Sequence, residues 1–206
     1  MKYGKKYFER YALLSLIKCF DYNLEGLLDD DFEAPDWQSE ELDLGIEVTQ
    51  AISETDGELS SIINRYFNRG LGGSLISKVI RKKHPKYNDN FEERDNRSFC
   101  VIPYQTAIEK NKILESIIGK TFKLNKNYKV FKNNWLYVFA DIALYEEDIL
   151  DIIEMIKSNN VNKIQFDKIF INITDKIFVI DNYMTVKEHH VENELLKWLK
   201  LEAFKE

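Results

Sequence analysis

Residues 35–50 read PDWQSEELDLGIEVTQ, and this stretch carries most of the information about the fold. In its second half, apolar side chains alternate with glycine or polar residues, at Leu44, Ile46 and Val48. This alternation is typical of a β-strand with one buried face, so a strand is predicted over residues 42–50. Pro35 has no amide hydrogen to donate to a sheet and therefore marks a strand edge or the start of a turn.

The rest of the chain alternates helical and extended patterns around this strand. Helices are predicted over residues 3–20, 58–67, 75–83, 106–118, 146–157 and 186–201. Further strands are predicted over residues 134–142, 166–173 and 176–180, and the polar residues 87–97 are predicted to form a loop. This order predicts an α/β (α+β) fold with a mixed central β-sheet flanked by helices.

Length and composition predict one globular domain over residues 1–206. The chain is 44% apolar and 31% charged, with only 8 glycines and 3 prolines, so collagen-like and disordered classes are disfavoured. Its two cysteines have no metal-type spacing and fit thiols in a reducing compartment. No run of about 18 apolar residues and no signal-peptide pattern is present, so a cytoplasmic protein without a membrane partner is expected.

Charge is strongly segregated along the chain. Residues 1–64 carry 5 basic and 15 acidic side chains, whereas residues 65–132 carry 16 basic and 6 acidic ones. An acidic segment is typical of a divalent-cation site, and a neighbouring basic segment suits a polyanionic partner such as nucleic acid. The alternative is that the two segments pair with each other, or that the acids line a solvated loop.

Asp36 and Glu47 are the candidates for chemistry. An Asp at the mouth of one strand and a Glu within the next can lie side by side if the two strands pair. Two close carboxylates repel each other unless a cation lies between them, and oxygen ligands suit Mg²⁺ or Mn²⁺. Such an ion activates water for attack on a phosphodiester and offsets the charge that develops on the phosphate.

The sequence Pro35-Asp36, followed by Gly45-Ile46-Glu47-Val48-Thr49, resembles the active-site core of the PD-(D/E)XK nuclease superfamily. It is most similar to a branch of uncharacterised bacterial proteins with a "PD … GIEVT" motif. The resemblance implies a restriction-endonuclease-like core and a Mg- or Mn-dependent nuclease that acts on DNA or RNA, with Asp36 and Glu47 as metal-binding and catalytic residues. The residues 8–14 also resemble the first helix of that branch, where an acidic residue adds a ligand, which makes Glu9 a third metal ligand.

One motif position departs from the superfamily pattern, because Thr49 stands where a lysine normally orients the attacking water. Three interpretations follow. Gln50 could hold the water, although an unbroken strand points it to the other face. Lys78 and Lys82, four residues apart on one helix face, could supply the missing charge. In the third interpretation the site is inactive and the protein is a nuclease-fold binding module.

The predicted phosphate contacts are basic side chains of the middle segment: Arg65, Arg69, Lys78, Arg81, Lys82, Lys83 and Lys86. Within them, residues 80–87 loosely resemble a basic element of the same bacterial branch. Trp37 either stacks on a nucleobase or packs in the core. A homodimer would let one-site subunits cut both strands of a duplex. A regulatory protein without a nucleic-acid role is also open, because the net charge of the chain is −6.

Overall fold

The computed structural model describes residues 4–27, 34–51, 78, 82, 91–94, 97–100, 106–140, 144–158, 164–173, 175–182 and 184–205. The chain divides into two compact units. The hairpin unit comprises Met1–Tyr3 and Ile52–Thr106, and the sheet unit comprises Gly4–Ala51 and Ala107–Glu206. The sheet unit contains all three of the predicted acidic residues.

Eight strands lie within the described ranges: β1 Trp37–Ser39, β2 Leu44–Gln50, β3 Phe91–Arg94, β4 Arg97–Cys100, β5 Asn133–Phe139, β6 Lys168–Asn172, β7 Lys176–Asp181 and β8 Val186–His190. Four α-helices are described there as well: α1 Lys5–Phe20, α2 Thr106–Leu124, α3 Glu146–Ser158 and α4 Asn193–Glu202.

Six strands form one mixed sheet in the order β1-β2-β5-β6-β7-β8. β2, β5 and β6 are mutually parallel, and β1, β7 and β8 each run antiparallel to the neighbour nearer the centre. The parallel strands follow helical connections, whereas β6, β7 and β8 form a meander, as expected from the lengths of their connections. The predicted mixed α/β fold is therefore confirmed.

Two apolar cores cover the two faces of the sheet. On one face α1 and α4 pack against side chains that include Ile46, Tyr137 and Phe170. On the other face α2 and α3 pack against side chains that include Leu136 and Ile171. Because successive residues of a strand point to opposite faces, Ile46 faces α1 and the next residue of β2 faces α2.

Two of the predicted elements are wrong. The predicted loop over residues 87–97 contains β3 and the start of β4, which pair antiparallel. The predicted helix over residues 186–201 begins with the strand β8, and the helix itself starts only at Asn193. Both errors have one cause: backbone pairing between strands requires no apolar side chains, so polar strands leave no periodic signal.

The revised assignment of β8 changes the interpretation of two histidines. His189 and His190 are successive strand residues and point to opposite faces of the sheet, rather than about 100° apart around a helix. The predicted helices over residues 58–67 and 75–83 lie outside the described residues, apart from the helical positions Lys78 and Lys82. In the described parts of the chain, none of the helices combines the length and the apolar character needed to span a bilayer.

Candidate functional site

The pairing of β1 with β2 brings Asp36 to Glu47. Trp37 of β1 pairs with Ile46 of β2 in antiparallel register, so continuing this register by one residue sets Asp36 opposite Glu47. The Asp36 Oδ2 atom accepts a hydrogen bond of 2.8 Å from the backbone amide of Val48. The contact holds the Asp36 side chain against β2 at the position of Glu47.

Gly45 allows the chain before β1 to close on β2. A Cβ atom at this position would lie 2.8 Å from Cγ of Pro35 and 2.7 Å from Cδ2 of Phe131, both closer than real Cβ contacts. Only glycine therefore lets Pro35 pack directly over the strand. The glycine of the GIEVT segment thus has a structural reason, because Pro35 immediately precedes Asp36.

Glu47 is buried, and its two carboxylate oxygens have different surroundings. Oε1 is ion-paired with the ammonium group of Lys120 and accepts a hydrogen bond of 2.8 Å from the hydroxyl of Tyr128. Oε2 is also buried but accepts no hydrogen bond from any residue that the structure describes. Burial raises the pKa of Glu47, and the nearby charge of Asp36 raises it further, while Lys120 and Tyr128 lower it.

Glu9 joins these residues from helix α1. The Lys5 Nζ atom lies 2.9 Å from Glu9 Oε1 and 2.9 Å from Asp36 Oδ1, so one ammonium group bridges the two carboxylates. Burial raises the pKa of Glu9, and Asp36 raises it further, whereas Lys5 lowers it. We call the three carboxylates of Glu9, Asp36 and Glu47 the acidic site.

Trp37 fixes helix α1 relative to β1. Its side chain is buried, and its indole Nε1 donates a hydrogen bond of 3.2 Å to the backbone carbonyl of Glu9. It belongs to the core that packs under α1. Of the two interpretations of this residue, packing in the core is therefore confirmed.

The other predicted site residues have different positions. Thr49 is partly exposed on β2, two residues after Glu47 and on the same face of the strand. Lys78 and Lys82 are exposed helical residues of the hairpin unit. The remaining predicted phosphate contacts lie outside the described residues: Arg65, Arg69, Arg81, Lys83 and Lys86.

Three residues of the site were not predicted from the sequence: Lys5, Lys120 and Tyr128. Lys5 carried a usable signal, because it precedes Glu9 by four residues in a predicted helix. Lys120 was missed because the helix was expected to end at Ile118, whereas α2 continues through Gly119 to Leu124. Tyr128 lies in the turn that follows α2 and carries no local signal.

Contacts between the acidic and basic segments are present in the described part of the chain. Lys120 pairs with Glu47, and Lys129 pairs with Glu40. The backbone amide of Lys132 also donates a hydrogen bond of 2.8 Å to a carboxylate oxygen of Asp43. The segregation of charge is therefore explained partly by pairing between the two segments.

The acidic site fits a hard divalent cation by its donor chemistry. Every donor is a carboxylate oxygen, and the buried Oε2 atom of Glu47 has no described partner. Among the residues that the structure describes, no group of three or more His, Cys, Asp or Glu side chains has an arrangement that could hold a metal ion. The fit therefore depends on Asp36 and Glu47, with water completing the coordination.

Comparison of this chain with protein-family models, curated proteins and solved structures finds no match. The resemblance in the PD … GIEVT segment therefore stays a prediction from the residues themselves.

Proposed function

We propose that this protein is a metal-dependent hydrolase of nucleic-acid phosphodiester bonds. The observation that carries the proposal is the buried, unpartnered Oε2 atom of Glu47, which belongs to a carboxylate opposite Asp36. A buried carboxylate oxygen without a partner is costly, and a cation at this position would relieve both the missing bond and the repulsion between the two acids.

Asp36 and Glu47 would hold Mg²⁺ or Mn²⁺, and Glu9 would add a third carboxylate through its contact with Lys5 and Asp36. When bound, such an ion supplies positive charge to the phosphate and makes water a better nucleophile. Two neighbours of Glu47 orient it for this role. Because Lys120 and Tyr128 both bind Oε1, they direct the carboxylate so that Oε2 remains for the ion.

Lys120 is our candidate for the positive charge that the motif lacks at Thr49. Its side chain is 20% exposed, so its ammonium group can contact both Glu47 and a substrate phosphate. We infer that Lys120 orients the attacking water and offsets charge on the phosphate in the transition state. Lys78 and Lys82 stay alternative candidates for the same role.

The substrate would be a polyanion. The basic residues predicted to contact it, from Arg65 to Lys86, belong to the hairpin unit. The sheet unit contributes further exposed lysines that follow Lys120 at intervals of three residues, Lys123 and Lys126. Neutralising phosphates with such side chains makes binding salt-dependent, with a slope of about 0.7–0.9 per phosphate contact.

The test is cleavage of plasmid, single-stranded DNA and RNA with Mn²⁺ or Mg²⁺. We expect cleavage by the wild type and none by Asp36→Asn or Glu47→Gln. Glu40→Gln is the matched control, because Glu40 is an exposed acid of the same segment, 77% accessible and paired only with a surface lysine in the described contacts. Absence of cleavage with either ion and every substrate would refute the enzymatic proposal.

The second candidate is a nuclease-fold binding module that has lost catalysis. Two observations favour it: Thr49 replaces the motif lysine, and the lysines of the site, Lys5 and Lys120, are engaged with its carboxylates. Such a module would bind nucleic acid or a protein partner equally well in EDTA and in Mn²⁺. A chelation experiment therefore separates the two candidates.

We also propose a cytoplasmic protein that forms a homodimer on duplex substrates. Two copies of a one-site subunit would present one acidic site to each strand. The test is the molar mass in solution with and without duplex DNA, and a monomer under both conditions would refute the dimer.

A further inference from the structure

Lys5 occupies the acidic site with its ammonium group while most of its side chain stays in water. The side chain is 72% exposed, whereas the Asp36 and Glu9 side chains that it bridges are 3% and 14% exposed. Its Nζ atom lies at the same distance, 2.9 Å, from an oxygen of each. Lys5 therefore brings a positive charge to two largely buried carboxylates from the solvent side.

Local helix energetics do not account for a lysine at this position. Lys5 is the first residue of α1, where the helix dipole disfavours positive charge. The first turn contains no acidic residue, and Gly4 provides no side-chain cap. A lysine four residues before a glutamate is also the weaker orientation of a helical ion pair. The contact with Asp36, on another element, is what favours the bridging position of Lys5.

We propose that Lys5 is an internal cation that competes with the divalent ion for Asp36 and Glu9. This inference rests on the proposed metal site and concerns its regulation. The oxygens that Lys5 binds belong to the carboxylates proposed as ligands, so ammonium and metal ion exclude each other there. The exposed side chain of Lys5 returns to water when the ion binds, and loss of its two ion pairs lowers the apparent affinity for the ion.

The size of this effect follows from the exposure of Lys5. An ion pair that involves a well-solvated lysine changes an equilibrium by up to roughly fivefold. We therefore expect Lys5→Gln to bind Mn²⁺ about fivefold more tightly than the wild type. Lys5→Arg keeps the positive charge and is expected to bind with nearly the wild-type affinity.

The experiment is titration of metal-free protein with Mn²⁺, followed by calorimetry and by the electron paramagnetic resonance signal of free Mn²⁺. Lys18→Gln is the matched control, because Lys18 lies in the last turn of the same helix, over the ring of Trp198. It removes the same charge away from the acidic site and is expected to leave the affinity unchanged.

Two outcomes overturn the inference, and they differ in what they mean for the proposed function. If wild-type protein binds Mn²⁺ through Glu47 but Lys5→Gln binds no more tightly, Lys5 only neutralises the acids and the metal site stands. If neither protein binds Mn²⁺, the metal site and the competition are both refuted. A gain of affinity in Lys18→Gln equal to that in Lys5→Gln would also overturn it, because the effect would then be one of net charge.

Discussion

Lys120 of helix α2 is ion-paired with Glu47 of strand β2, although 73 residues separate them in the sequence. The lysine comes from the basic middle of the chain and the glutamate from its acidic N-terminal third. Lys120 binds only Oε1 of Glu47, and the other carboxylate oxygen is buried without a described partner. The following predictions test what this pair does.

The first prediction concerns the pH dependence of stability. The pKa of Glu47 is raised above its ordinary value of 4.5, so the folded chain holds this proton more tightly than the unfolded chain. The resulting stabilisation is complete below that ordinary value and is lost as the pH rises through the folded pKa. Without metal, the free energy of unfolding of the wild type should therefore fall between pH 4.5 and 8 relative to that of Glu47→Gln.

Urea unfolding in EDTA across this pH range measures the effect. Glu9 also has a raised pKa but is present in both proteins, so the difference between their two curves reports Glu47. Parallel curves for the wild type and Glu47→Gln would contradict the raised pKa.

The second prediction is thermal stabilisation by metal. An ion that binds only the folded protein adds about 2.7 kcal/mol of stability at a hundredfold excess over its Kd. For a chain of this size that corresponds to a rise in Tm of about 5 to 10 °C. We expect this shift with Mn²⁺ for the wild type and Glu40→Gln, measured by scanning calorimetry. Asp36→Asn and Glu47→Gln should show none, and a full shift in either would place the ion elsewhere.

The third prediction concerns Lys120. Lys120→Met should lower the cleavage rate by about 100-fold or more, because the positive charge next to Glu47 is lost. Removing this charge should also raise the pKa of Glu47 further, so stability should fall more steeply with rising pH than in the wild type. The rate is measured with saturating substrate, and the pH dependence by urea unfolding in EDTA.

Lys129→Met is the control for this change. Lys129 is 51% exposed and pairs with the exposed Glu40, so the same substitution there should change neither quantity appreciably. Equal losses of rate in the two variants would assign the effect of Lys120 to general charge rather than to its contact with Glu47.

The fourth prediction concerns Gly45. Gly45→Ala should lower the free energy of unfolding by about 1–3 kcal/mol, because the new methyl group would collide with Pro35 and Phe131. Gly119→Ala is a control of opposite sign. Gly119 lies within α2, and a Cβ atom there meets nothing within 4 Å, so alanine should stabilise the helix by about 0.5–1 kcal/mol.

Urea unfolding measures both glycine variants. Combining Gly45→Ala with Phe131→Leu should recover part of the lost stability, because the smaller side chain leaves room for the methyl group. Wild-type stability in Gly45→Ala would show that Pro35 can move away from β2 at no cost, and the proposed support for Asp36 would be wrong.

The strands and helices with strong apolar periodicity were predictable. The alternation around Ile46 and Val48 predicted β2, and the isoleucines at helical spacing predicted α3, because burial of one face selects those residue types. β8 was not predictable in this way. Its residues are mostly polar, and it is a strand because β7 offers an unpaired edge.

The sequence by itself determined which carboxylates are candidates, because Asp36 and Glu47 follow from the spacing of two strands that must pair. Only the tertiary structure decided which cations meet them. Lys5 reaches Asp36 from α1, and Lys120 reaches Glu47 from a helix on the opposite face of the sheet. The physical reason is that strand alternation is a local property of the chain, whereas an ion pair between distant segments depends on how whole helices pack.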